Sequence, residues 1–191
     1  MRRDWWGRKR NDGGCCNKNK TVRQTPLERL KIPLRAVATN VQTGEETVFA
    51  TGNTGRAVRA SCSIPGVFQP VRIGDKAYMD GGVVSPVAVE AARRAGADVV
   101  IAVDISAGVA GTLPQGILET ILQSVDIMYA KIATAQLRNA DVVIRPKVSH
   151  IGSSDFEKRN EAILEGEKAA TQALPQIQQI LDKLRQEGRL P

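Results

Sequence analysis

The sequence predicts an α/β fold, on three observations. Residues 99–105 form an almost unbroken apolar, β-branched run of strand length, interrupted only by Asp104. Such a run, following a helix, reads as a central parallel strand covered on both faces. A helical segment at 86–95 precedes it and a strand at 76–80 precedes that, so strand, helix and strand succeed one another as one βαβ-like unit. Two long helical patterns, 113–139 and 156–186, then flank a short apolar strand at 141–145. At 191 residues the chain is of single-domain length, with enough apolar surface for one core.

Taken in order, residues 1–30 read as a disordered, non-native-looking basic leader. Trp5 and Trp6 sit among arginines, and neither helical nor strand periodicity develops. Tryptophan beside arginine also suits a membrane-surface or anion-binding arm, without a sustained amphipathic face to carry it. Order is expected from Ile32, in a unit running from 31 to 191. Residues 33–41 are a strand rich in small and branched side chains, 43–45 a turn, and 46–50 the partner strand. Residues 54–62 form two helical turns with Thr54 as N-cap, stopped by Pro65 and Gly66. Residues 67–73 are extended, and Gly74-Asp75 reverses the chain into 76–80, so that Asp80 ends the second arm of a hairpin. Helix 86–95 buries Val87, Val89, Ala91, Ala92 and Ala95, exposes Arg93 and Arg94 near its carboxyl end, and closes at Gly96. In 113–139, Ile117, Leu118, Ile121, Val125, Met128, Ile132 and Leu137 make an apolar stripe with Met128 in the core. Pro175 is expected to bend or split the last helical segment.

Charge and cysteine usage narrow the function. Residues 1–35 hold eleven Lys/Arg against three Asp/Glu, a balance of +8, whereas the remainder holds sixteen against seventeen, a balance of −1. The net +7 therefore belongs to the leader, and the body carries no nucleic-acid footprint. Cys15, Cys16 and Cys62 have no metal-ligand spacing and form no disulfide framework. No metal and no cofactor are expected, and the usage fits a reducing cytoplasm. No apolar run approaches the roughly 20 residues of a membrane span.

The chemistry centres on Tyr78-Met79-Asp80-Gly81-Gly82-Val83. Two adjacent glycines after a strand mark a sharp turn or a close approach by another group, and a carboxylate just before them is held by its neighbours yet open on one side. A capping aspartate would occupy the same place. Asp104, near another strand end, is read as structural, and His150, alone in a Ser/Gly-rich loop, as a surface residue. A hydrolase would also need a nucleophile on an elbow and amides to hold an oxyanion. No G-x-S-x-G, phosphate-cradling loop or dinucleotide fingerprint occurs in these 191 residues. Ser61, Cys62 and Ser63 lack the small-residue frame of an elbow, and Ser106, followed by Ala107-Gly108 but preceded by Asp104-Ile105, lacks its first glycine. Asp80 is an acid without a visible nucleophile.

From Ile32 to Ser106 the sequence closely resembles the carboxyl-terminal half of bacterial patatin-like hydrolases. The resemblance rests on Ala36-Val37-Ala38-Thr39, Thr43-Gly44-Glu45, the stretch from Arg59 to Phe68 containing Ser63-Ile64-Pro65-Gly66, Tyr78 to Val83, and Gly96 to Asp104. It is strong over about 30–145 and looser over the last helix. It implies a patatin-like α/β/α sandwich, incomplete at the amino-terminal side, and hydrolysis of lipid carboxylic esters by a Ser-Asp dyad without histidine. In that scheme Asp80 is the acid/base, Gly81 and Gly82 support its turn, and the substrate-binding residues are unassigned. The partner would be a lipid or other acyl ester, with peripheral membrane contact admitted, no nucleic acid, and the oligomeric state open. The family's oxyanion loop and nucleophile elbow precede the stretch that starts here at Ile32. The expectation is therefore a fragment, inactive alone; the alternative is a non-catalytic binding or assembly module. Asn40, at a position often acidic in the family, is read as a surface change.

Overall fold

The computed structural model describes residues 25–106, 113–152 and 155–190. The expectations placed on most of the leader, including Trp5, Trp6, Cys15 and Cys16, lie outside the described residues. Strands β1 (Ala36–Asn40), β2 (Glu46–Phe49), β3 (Val71–Ile73) and β4 (Lys76–Asp80) form an antiparallel sheet in the order β2-β1-β4-β3. Strands β5 (Ile101–Val103) and β6 (Val142–Ile144) form a separate parallel pair. Helices α1 (Thr54–Ser61), α2 (Val89–Arg94), α3 (Ile117–Gln136) and α4 (Arg159–Gln186) pack around these sheets, giving a mixed α/β arrangement compatible with a patatin-like α/β/α fold.

The first sheet owes its packing to small residues. Ala38 on β1 and Ala60 on α1 have no exposed surface, and with Val71 and Tyr78 they form one core cluster. Phe49 meets the Tyr78 ring edge-on, with centroids 5.0 Å apart, an arrangement favoured by the ring quadrupoles. Ordered packing starts before Ile32: Leu27, at the end of the basic stretch, is buried with Ala36 and Ala57, and its N–H donates to the Gly52 carbonyl. Ile32 itself is exposed. The second cluster joins Val89 of α2, Val100 and Ala102 around β5, and Leu137 after α3.

Several expectations need correction. Asn53, not Thr54, caps α1; its Oδ1 accepts the Arg56 N–H at 2.9 Å, because Asn53 has extended backbone and Thr54 is already helical. Asn40 is buried, not a surface position, and its Oδ1 accepts from the Gln42 and Thr43 amides to build the β1–β2 turn. α2 begins at Val89, since Ala88 is left-handed with φ 50°. β4 and β5 do not share a sheet, so the βαβ-like unit is not a parallel pair; β5 pairs with β6 across α3. Nor is β5 covered on both faces, for Ile101 and Val103 are exposed on either side of buried Ala102. Of the predicted α3 stripe Leu137 is buried and Val125 and Ile132 are half-buried, whereas Met128 is exposed with Ile117 and Ile121, and Tyr129, Ala133 and Gln136 also face inward. α4 continues as one helix through Pro175.

Candidate active site around Asp80

Asp80 is fixed by its backbone before its side chain matters. Its N–H donates to the Ser63 carbonyl at 3.0 Å, tying β4 to the loop after α1. Its carbonyl accepts from the buried Thr39 hydroxyl at 2.8 Å, tying β4 to β1. The chain then enters a 3-10 turn, Gly81–Val83, which the Asp80 carboxylate caps by accepting the Gly82 N–H at 2.7 Å. Gly81 is obligatory for steric reasons, because a Cβ there would stand 2.4 Å from the Val37 carbonyl oxygen. The carboxylate thus has a capping role of its own at the end of β4.

The carboxylate opens on a cavity of about 360 Å³ whose walls include Arg35, Val37, Val58, Ser61, Gly82 and Ser85. Half-burial penalises its charged form and raises its pKa above the ordinary value, against the opposing pull of the Gly82 N–H. The loop beyond Gly82 is braced by Gln136 of α3. Its amide nitrogen donates to the Val84 carbonyl at 3.4 Å and the Ser85 hydroxyl at 3.3 Å, and its oxygen accepts the Val87 N–H at 3.3 Å. Sequence reading did not single out Gln136, Ser85 or Tyr129. Gln136 and Tyr129 reach the turn beyond Asp80 from α3 through tertiary packing that no local spacing signals, whereas Ser85 lies in the turn itself and donates its N–H to the Gly81 carbonyl.

The other candidates disperse. Ser61 lines the same cavity as Asp80. Ser63 is buried and its hydroxyl donates to the Arg59 carbonyl at 2.7 Å, a helix-end role. Ser106 donates its hydroxyl to Asp104 at 2.5 Å, and Arg145 binds the other Asp104 oxygen at 3.1 Å. The Ser106 and Arg145 hydrogen bonds hold the Asp104 pKa below the usual value, although burial opposes them as the largest single influence. His150 is exposed and contacts Glu161 at 2.7 Å, outside the Asp80 cavity. Among the described residues no three His, Cys, Asp or Glu side chains gather to hold a metal ion. None of the described helices is long and apolar enough to cross a membrane.

Residues 2–93, which contain Asp80 and both glycines, match the family model for patatin-like phospholipase. An uncharacterized NTE family protein of Mycobacterium tuberculosis is 36% identical over 85 residues, covering 44% of this chain and 24% of the relative. A second NTE family protein of that organism is 31% identical over 178 residues, covering 78% of this chain and 30% of the relative. A lysophospholipase NTE1 of Pyricularia oryzae is 23% identical over 199 residues, covering 90% of this chain and 13% of the relative. The chain thus spans between about a quarter and a third of the length of the mycobacterial relatives it matches. The similarity to patatin-like phospholipases thus spans residues 2–93, just under half of the chain, and includes the Asp80 turn, while the NTE family proteins resemble the chain over a minor part of their own length.

Proposed function

We propose that Asp80 is the acid–base carboxylate of a lipid carboxylic-ester hydrolase working through a Ser-Asp dyad. The observation that carries this reading is the half-buried Asp80 carboxylate, anchored through its backbone on both sides and open to a cavity within the family-matched span. A raised pKa suits a base that must take a proton and return it. In the proposed sequence Asp80 accepts the serine hydroxyl proton as that oxygen attacks the ester carbonyl. The proton passes to the departing alcohol, and an acyl-enzyme remains. Asp80 then takes a proton from the water that attacks the acyl-enzyme, and the serine is regenerated.

The 191 residues contain no G-x-S-x-G, so in this reading the serine and the oxyanion amides come from other residues than these and the 191 residues alone are inactive. The substrate is a lipid ester met at a membrane surface, with the chain peripheral to it on the cytoplasmic side. Ser61 supports a second reading, an internal nucleophile, because it lines the same cavity.

Fluorophosphonate labelling of the isolated chain, read by intact mass, separates these readings. The proposal expects no adduct. An adduct lost in D80N transfers the nucleophile to a serine of this chain, with Ser61 first to be mapped. Fusing the amino-terminal part of the longer M. tuberculosis relative ahead of Ile32 then tests Asp80 itself. Ester hydrolysis that disappears in D80N is the expected result, and hydrolysis that survives D80N removes Asp80 from the mechanism.

A further inference from the structure

Tyr129 of α3 is the one buried side-chain polar group among the described residues whose hydroxyl has no hydrogen-bond partner. Such a group forfeits its bonds to water without replacing them, at a cost of about 1–3 kcal/mol. Its ring lies against the Asp-Gly-Gly turn: a Cβ added at Gly82 would stand 3.0 Å from Tyr129 Cε2, 3.4 Å from Cζ and 3.1 Å from Asp80 Oδ1. The missing side chain of Gly82 is therefore what allows the ring and the carboxylate to approach the same point. Tyr129 is not part of the wall of the Asp80 cavity, whereas Gly82 is, so the ring backs the turn rather than facing the opening.

We propose that Tyr129 is a positioning residue for Asp80, its ring pressing on Gly82 so that water is kept from one side of the carboxylate. This inference rests on the reading of Asp80 as the acid–base group. The electrostatics point the same way. Burial first, then the charges of Asp80 and Asp126, push the Tyr129 phenol up to about 12, so it stays protonated and adds no charge beside Asp80. The charged groups around the turn are Asp126 on α3 and Arg35 before β1; neither contributes to the Asp80 shift, which comes from burial and the Gly82 N–H.

The test is a carbon-detected NMR titration of the Asp80 carboxyl in the 191-residue chain, in wild type, Y129F, Y129L and Y129A. Phe keeps the ring, Leu removes the Cε2 and Cζ atoms that face Gly82, and Ala opens the wall. The expected result is an Asp80 midpoint retained in Y129F and moved down, toward the ordinary carboxylate range, in Y129L and further in Y129A. A residue that only stabilises α3 would lower the melting temperature and leave the midpoint of the folded protein unmoved, and that outcome overturns the proposal. If Y129A does not fold, Y129L against Y129F decides alone, equal midpoints being the overturning result. The titration needs no serine, so loss of the dyad reading in the labelling experiment and loss of the Tyr129 role are separate events.

Discussion

Asp80 couples the stability of the fold to pH in a direction opposite to that of most carboxylates. Its pKa in the folded state lies above the ordinary value, because burial outweighs the Gly82 hydrogen bond. The folded chain then holds this proton more tightly than the unfolded chain. Its contribution is fully present below the unfolded pKa and is lost as pH rises through the raised folded value. Asp104 and Asp141 are shifted down and act in the reverse sense, losing their contribution on acidification. Subtracting D80N from wild type isolates Asp80: D80N is expected to be at least as stable near neutrality, with its advantage shrinking as pH falls into the ordinary carboxylate range. A melting-temperature difference that stays constant over that range would show that burial does not act on Asp80. At the neighbouring position, G81A forces a Cβ to within 2.4 Å of the Val37 carbonyl oxygen, backbone that cannot rotate away. Chemical denaturation is expected to show a loss of at least about 1–3 kcal/mol, the range of an overpacked core. Both residues were legible in the sequence, since an acid followed by two glycines after a strand admits few geometries. Tyr129 was not, because its relation to Gly82 depends on how α3 packs on the turn, and a tyrosine at the margin of the apolar stripe carries no signal of that contact.

At the scale of elements, legibility follows the local signals. The hairpins were readable from Thr43-Gly44 and Gly74-Asp75, and the observed strands β1 to β4 lie inside the predicted ones. Helix α1 was placed correctly but capped one residue too late, since Asn53 and Thr54 are both competent caps and only the backbone decides between them. What failed was partnership between elements. The apolar run around β5 predicts a strand covered on two faces, yet apolarity cannot say which neighbours arrive. α2 is joined to the second sheet by Arg93, which donates to Asp141 Oδ2 at 2.6 Å and to the Asp98 carbonyl at 2.8 Å. Asp141 in turn accepts the Val100 N–H at 2.6 Å, the main reason its pKa falls. Sequence analysis read Arg93 as an exposed cation at a helix end, and its reach to residues 48 positions away had no local signature.

Across the whole molecule the two sheets are unequal in what holds them. β1 is paired on both sides, by β2 and β4, and its Ala38 is wholly buried against α1. Among the described residues β5 and β6 pair only with each other, with three paired residues apiece, and a two-stranded sheet alone is marginal in water. The second sheet is held by the cluster of Val89, Val100, Ala102 and Leu137, by α4 against β6 and by the Arg93–Asp141 link. On its other side Ile101 and Val103 remain exposed. Local opening follows from few apolar contacts and unpaired strand edges, so the free energy of opening should differ between the sheets. Amide exchange of the 191-residue chain is expected to be faster at the β5–β6 pairing, for instance at the Asp104 N–H bonded to the Ile144 carbonyl at 2.9 Å, than at the β1–β4 pairing. Equal protection would mean that the two clusters open as one cooperative unit. Faster exchange would place the Asp80 turn on the firmer part of the molecule, since its backbone bonds run to β1 and to the loop after α1 rather than to the second sheet. The geometry around the carboxylate would then persist while β5 and β6 open, which is what a preorganised acid–base group requires.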